Sequence, residues 1–350
     1  LVGEAKEEKQ EDGRDLLTTI DRVAQFTAEK ELQEGIRRYG AKSGSVVIMA
    51  PKTGEILAMA SFPTKGFPNP AVASGFEPGS IFKVLVMAAA LNEGVVEPET
   101  RCDKCIGPRI VSGETIKTWD DKYPANPTMT EVIQQSNNIG MVYVAEKLGK
   151  GKLISYLQNF GLDRPSGIDL EDELAPKFRP SSAWREIDLA TASFGQGIAV
   201  TPIQMLRAVG TIANQGKLMR PFMVKKVISE SGETEIRPKE EKEVISPATA
   251  RVMTEIMVNA VDKGEAKWAK PKGFRIAGKT GTAQIPLAGH YAEEKTIASF
   301  VGFAPADDPK FVMLVTLVEP TSSPWGSETA APLWFDIAGE LLTYWGILPN

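Results

Sequence analysis

Histidine is almost missing from this chain: His290 is the only one. It stands in the Gly- and Pro-bounded segment Ile285-Pro286-Leu287-Ala288-Gly289-His290-Tyr291, so a Ser-His-Asp triad would have to recruit that side chain. Cysteine is nearly as scarce. The pair in Cys102-Asp103-Lys104-Cys105 is the whole complement, and a tetrahedral zinc site would need two further ligands that one histidine cannot supply. A local disulfide or a pair of structural thiols is expected there; no βαβ pattern surrounds it to make a redox centre, and no catalytic role is assigned. Long apolar runs are also absent. The longest, residues 84–91 and 311–318, fall far short of the roughly 20 residues that a membrane-spanning helix needs. Positive charge is not in excess, and a net charge of -5 offers no field for nucleic acid.

With 350 residues and 42% of them hydrophobic, the chain can bury a substantial core as one large domain or two, while 31 Gly and 24 Pro call for many turns. It begins with Leu1, and residues 3–15 are charged and poorly hydrophobic. Residues 1–15 therefore read as a linker from an upstream anchor or pedestal region that is missing here, ahead of a domain over residues 16–350.

The richest stretch is Glu77-Pro78-Gly79-Ser80-Ile81-Phe82-Lys83, followed directly by the apolar run 84–91. If Pro78 and Gly79 end a loop and the run is a buried helix, Ser80 opens that helix and Lys83 lies one turn on, on the same face. A serine hydroxyl is a weak nucleophile at neutral pH and needs a base beside it. An amine held by local helix geometry can serve, provided that burial or a second cation lowers its pKa. The competing reading is structural: Ser80 caps a core helix and Lys83 snorkels to solvent.

Periodicity organises the rest. Residues 16–20 read as a strand and 21–39 as a helix; 45–50 and 55–62 read as antiparallel strands joined at Pro51-Lys52-Thr53-Gly54. Residues from about 63 to 216 are mainly helical, with helices expected over 80–93, 130–148, 152–160, 187–192 and 202–214. Strands are expected at 224–229, 275–279, 282–284, 296–303 and 311–318, with helices at 247–261 and 333–345. Strands at both ends with helices between predict an α/β (α+β) fold. One antiparallel sheet is closed by the two ends, flanked by helices on both faces, and carries a helical subdomain at roughly 63–216.

Two further polar clusters stand out. Ser136-Asn137-Asn138 falls at a junction between helical runs, where such residues ordinarily cap. In a catalytic reading the Ser136 hydroxyl shuttles a proton and the Asn138 amide offers a donor and an acceptor to a peptide-like substrate. Gly278-Lys279-Thr280-Gly281-Thr282 interrupts a strand-like region; Gly281 would let a ligand or another backbone approach, and Lys279 with the Thr280 and Thr282 hydroxyls suits a carboxylate. The alternative is an edge strand protected by a lysine. Lys52-Thr53-Gly54 repeats the triplet in what reads as a turn.

SxxK on a helix after a strand pair, SxN at a helical junction and KTG on a later strand form the set found in penicillin-binding proteins and class A β-lactamases. From about Leu16 to the C-terminus the chain resembles the transpeptidase domain of class B penicillin-binding proteins. Also part of the resemblance are Ala58-Met59-Ala60-Ser61-Phe62-Pro63, Phe76-Glu77-Pro78-Gly79-Ser80, Phe194-Gly195-Gln196-Gly197 with Thr201-Pro202-Ile203-Gln204, and the continuation Ala283-Gln284. It implies the penicillin-binding protein/serine β-lactamase-like fold and a peptidoglycan D,D-transpeptidase. Ser80 would be acylated by a stem peptide at its penultimate D-alanine, releasing the terminal one, and an amine of a second stem would resolve the acyl-enzyme. Lys83 would be the base, Ser136 the relay to the leaving amine, and Asn138 the holder of the substrate amide. Lys279, Thr280 and Thr282 would hold the carboxylate beside Gly281, and the backbone N–H groups of Ser80 and Thr282 would bind the oxyanion.

The resemblance implies no metal and no cofactor. It implies β-lactams as ligands, a glycosyltransferase and division or elongation proteins as partners, and a place on the outer face of the bacterial cell membrane, the parent held by an N-terminal transmembrane helix. A β-lactamase or β-lactam sensor of the same fold is the alternative. Fast hydrolysis needs a second base, and Glu171-Asp172-Glu173-Leu174 reads instead as a solvated acidic loop. Class D enzymes and their sensor relatives carry a hydrophobic residue where Asn138 stands. A non-enzymatic divisome scaffold is a third possibility. Trp119 and the Trp325-Gly326-Ser327-Glu328-Thr329 segment read as packing features.

Overall fold

The structure is a computed structural model and describes residues 13–63, 68–174, 178–230, 232–287 and 290–349. Most of the expected linker thus lies outside the described residues, and Asp15 already belongs to a strand. That strand, β1 (Asp15–Thr18), is followed by helix α1 (Arg22–Tyr39). Asp21 caps the helix by accepting from the Val23 and Ala24 N–H groups at 2.9 and 3.0 Å, and Gly40 ends it in the left-handed conformation at φ 62°. Next come β2 (Ser43–Met49) and β3 (Ile56–Phe62), paired antiparallel across the Pro51–Gly54 turn, where Gly54 sits at φ 84°. The first KTG is therefore a hairpin turn.

A mostly helical stretch follows, with α2 (Pro70–Ala73), a 3-10 turn Gly79–Phe82, α3 (Lys83–Asn92), the small hairpin β4 (Arg109–Val111) and β5 (Glu114–Ile116), α4 (Met129–Gln134), α5 (Asn138–Leu148), α6 (Lys150–Asn159), α7 (Glu186–Ala192) and α8 (Pro202–Ala213). Then come β6 (Lys217–Met219), β7 (Val224–Ser229), β8 (Gly232–Glu235), β9 (Glu240–Glu243), α9 (Pro247–Lys263), β10 (Ala277–Leu287), β11 (His290–Ala304), β12 (Phe311–Val318) and α10 (Ala330–Tyr344).

The main sheet has the order β10-β11-β12-β2-β3, all antiparallel, so early and late chain meet where β12 pairs with β2. Two expectations are corrected. β1 does not join this sheet but pairs with β7 in a separate one, its short exposed residues having no core face to match. Gly281 does not interrupt its strand: β10 runs through it, opposite Ser299.

Alternation along β12 divides two cores. Val312 and Leu314 face one with the helical layer; Phe311, Met313, Val315 and Leu317 face the other, beneath α1 and α10. The helical layer is not confined to the stretch after β3, because α9 returns to pack on α3, α4 and α8. Cys102 and Cys105 are joined in a buried disulfide within this layer.

Candidate active site

Ser80 sits half-buried in the 3-10 turn that leads into α3, while Ile81 and Phe82 anchor the turn in the core. α3 is apolar on all sides between Val84 and Ala90 and buried over that run, as expected for a helix without a solvent face. Three glycines let other backbone close on the turn. Gly79 adopts φ 57°, and its N–H donates to the Gly195 carbonyl at 3.0 Å. Gly195 is itself at φ 79°, and a Cβ there would lie 2.2 Å from the Gly79 oxygen. On the other side a Cβ on Gly281 would lie 2.9 Å from Ile81 Cγ2 and 2.4 Å from Ser299 Oγ. The approach foreseen at Gly281 is therefore made by the Ser80 turn. Phe76 and Val200 exchange backbone hydrogen bonds at 2.9 and 3.0 Å, stitching the strand of chain before Ser80 to the Phe194–Gly197 segment. Thr201-Pro202-Ile203-Gln204 proves to be a capping box that starts α8, with Gln204 Oε1 accepting from the Thr201 N–H at 2.9 Å.

Both lysines are buried, and both reach the same hydroxyl. Lys83 Nζ donates to the Ser136 carbonyl at 2.6 Å, to Ser136 Oγ at 3.2 Å and to Asn138 Oδ1 at 2.7 Å. Lys279 Nζ donates to Ser136 Oγ at 3.0 Å and to the Thr280 carbonyl and Oγ1 at 3.1 Å each. Ser136 can bridge them because its backbone is left-handed, at φ 55°, in the two-residue break between α4 and the Asn137 cap of α5. A non-glycine residue there costs on the order of 1–3 kcal/mol, a strain typical of functional positions.

Burial pushes the Lys83 amine well below its ordinary value, and the Lys279 cation pushes the same way; Glu265 opposes them. Burial also lowers Lys279, again opposed by Glu265. Both amines are thus less basic than a free lysine, and at Lys83 a neighbouring cation adds to the effect of burial.

Asn138 is engaged at both ends, since its Nδ2 donates to the Lys117 carbonyl at 3.0 Å; one N–H remains for a ligand. The threonines divide similarly. Thr280 Oγ1 accepts from Lys279 and donates to Glu265 Oε2 at 3.4 Å, whereas Thr282 Oγ1 accepts from the Gly326 N–H at 3.0 Å and keeps its own proton free. β10 is an edge strand, so one row of its backbone groups faces the cleft rather than a neighbour. Ser80, Ser136, Asn138, Thr280, Gly281 and Thr282 all line one small cleft of about 80 Å³.

Sequence reasoning missed Glu265 and favoured packing for the two tryptophans. Glu265 follows α9 with no motif around it, and only the fold carries it to the lysines. Trp119 and Trp325 pack edge-on at 5.2 Å, yet both line the Ser80 cleft, so they are cleft walls as well as packing partners. His290 opens β11 opposite Leu287 at the hairpin tip, while Thr280 pairs further down with Phe300. Glu173 accepts from the Ser166 and Gly167 N–H groups at 2.6 and 3.0 Å and so clamps its own loop.

A strand edge carrying KTG, a buried lysine pair and the Ser80 turn thus meet at one cleft. The family model for the penicillin binding protein transpeptidase domain matches residues 44–341, and the chain belongs to that family. It is 35% identical to stage V sporulation protein D of Bacillus subtilis, over 97% of this chain and 55% of that protein. It is 32% identical to penicillin-binding protein PbpB of Mycolicibacterium smegmatis, over 95% of this chain and 55% of that protein. The chain thus spans about half the length of these relatives. Among solved structures it resembles penicillin binding protein 3 of Mycobacterium tuberculosis in complex with aztreonam, with a TM-score of 0.91 and 30% identity over 99% of this chain and 82% of that one. The transpeptidase domain of Burkholderia pseudomallei penicillin-binding protein 3 gives a TM-score of 0.86 at 30% identity, over 95% and 97%.

Proposed function

We propose that the chain is a serine D,D-transpeptidase domain that cross-links peptidoglycan stem peptides and is acylated by β-lactams. The observation that carries this reading is the Ser136 hydroxyl held at 3.2 and 3.0 Å between two buried amines, beside Ser80. Neutral Lys83 takes the Ser80 proton as Ser80 Oγ bonds to the penultimate D-alanine carbonyl. Negative charge on that oxygen is met by the Ser80 N–H at a helix start and the Thr282 N–H on the strand edge. The proton passes through Ser136 to the departing D-alanine nitrogen as the peptide C–N bond breaks. Charged Lys279, with the Thr282 hydroxyl, receives the terminal carboxylate, and the free Asn138 N–H receives the donor amide. An acceptor amine then bonds to the acyl carbon, its proton returning by Ser136 and Lys83 to the Ser80 oxygen as the ester breaks.

Hydrolysis is the competing fate. Glu173, in the acidic loop weighed as a source of a second base, already accepts from two N–H groups of its own loop. In this reading the domain works on the outer face of the cell membrane alongside a glycosyltransferase and the division or elongation machinery; among the described residues no helix is long and apolar enough to cross a membrane. The experiment offers the protein a D-alanyl thioester donor and an amine acceptor. Transfer product should exceed acid; acid alone would replace the transferase reading with a hydrolase.

A further inference from the structure

Beside the Ser80 cleft lies a second, larger cavity of about 610 Å³, and Trp119 and Glu265 are walls of both. Its other sides include Asp120, Lys122, Gln134, Gln135, Asn137 and Lys263. Trp119 is fixed as the partition: its Nε1 donates to the Gln135 carbonyl at 3.2 Å and its ring meets Trp325. Asp120 is satisfied, accepting from the Lys122 N–H at 3.2 Å with the Lys122 ammonium at 3.6 Å. Glu265 is not. Its Oε1 is buried with no hydrogen-bond partner among the described residues, its Oε2 accepts from one hydroxyl at 3.4 Å, and its charge is felt by Lys83 and Lys279, neither of which forms an ion pair with it. A buried carboxylate oxygen without a donor is costly, so a cationic N–H donor arriving there is strongly favoured.

We propose that this cavity receives the acceptor stem peptide and that Glu265 binds the ammonium of its incoming amine. The inference rests on the transpeptidase reading and extends it to the second substrate. The cleft itself, about 80 Å³, has room for little beyond the donor terminus, and the acceptor must reach the same acyl carbon from an adjoining space. Charge then sorts the substrates. A donor carboxylate is drawn to Lys279 and repelled by Glu265, whereas an ammonium has the opposite preference. The Trp119 ring gives the aliphatic stem of a lysine-like side chain an apolar wall and its head a cation–π surface. The ammonium yields one proton to water before attack, and the second follows the route through Ser136 and Lys83.

The test is the partition of one acyl-enzyme between amine and water, because that ratio does not depend on how fast Ser80 is acylated. With a D-alanyl thioester donor and an N-acylated lysyl-D-alanine acceptor, the wild-type transfer-to-hydrolysis ratio should saturate with acceptor. In Glu265→Gln it should fall about tenfold, as expected for loss of one charge-assisted hydrogen bond, and lose saturation. An unchanged ratio and saturation would overturn the proposal while leaving the transpeptidase reading intact; a wild-type protein that makes no transfer product would overturn that reading instead. A second measurement needs no variant. A dimethyl-lysyl peptide, cationic and a poor nucleophile, should inhibit wild-type transfer, and its norleucyl counterpart should not. Equal inhibition by the two would contradict recognition by charge.

Discussion

Ser136 shows how one residue can organise a site. Its left-handed backbone turns the hydroxyl between Lys83 and Lys279 and its carbonyl onto Lys83, so both amines are held by one side of the α4–α5 junction. The sequence placed Lys83 one turn from Ser80, and the Lys83 backbone N–H does bond the Ser80 carbonyl, but the three hydrogen bonds donated by its Nζ go to residues 136 and 138. Those contacts join residues more than 50 positions apart, and no local pattern encodes them. A sign follows from the charges. Lys279 helps to lower Lys83, so removing that cation in Lys279→Gln must raise the Lys83 pKa and leave more of it protonated at a given pH. The acid limb of the acylation rate, measured against pH with a β-lactam, should move to higher pH. A limb that stays put or moves down would mean that Lys83 is not the base.

At the scale of elements, the Ser80 turn is held by backbone from two sides, the Gly195 loop and the β10 edge at Gly281. Gly195→Ala combines a positive φ of 79° with a Cβ placed 2.2 Å from the Gly79 oxygen, so the turn must shift. β-Lactam acylation should drop at least about 100-fold, since misplacing a reacting group by about an ångström costs that much. Gly339→Ala in α10, where nothing lies within 4 Å of the new Cβ, should instead add roughly 0.5–1 kcal/mol of stability. Equal acylation by the Gly195 variant and wild type would remove the loop from the account.

Most elements were legible because hydrophobic period and turn chemistry agree: the hairpin at Gly54, α1, β12 and the split at 136–138 all fall where the pattern put them. The small strands β4, β5, β6, β8 and β9 were not. They are too short, at three or four residues, to show a period. Glu265 was illegible for a different reason: its role depends on how the α9–β10 connection packs on the lysines.

For the whole molecule, the sheet divides two cores with different tasks. The layer of helices on one face builds the site, while α1 and α10 on the other face stabilise the sheet that presents β10. Trp334 is central to the second core: it is fully buried, contacts Phe300, Phe311 and Phe335, and donates from Nε1 to the Met313 carbonyl at 2.9 Å. Trp334→Ala should lower unfolding stability by about 3–5 kcal/mol in denaturant titrations. The molecules still folded should acylate with the wild-type rate constant, and a loss under 1 kcal/mol, on the same scale, would contradict this division of roles.

The central claim, that Ser80 is the nucleophile of a penicillin-binding transpeptidase domain, meets its most direct test in intact-protein mass spectrometry after incubation with a β-lactam. Wild type should gain the mass of one β-lactam, persist as that adduct on Ser80, and lose the gain entirely in Ser80→Ala. An adduct retained in Ser80→Ala, or rapid β-lactam turnover by wild type with no adduct, would contradict the account.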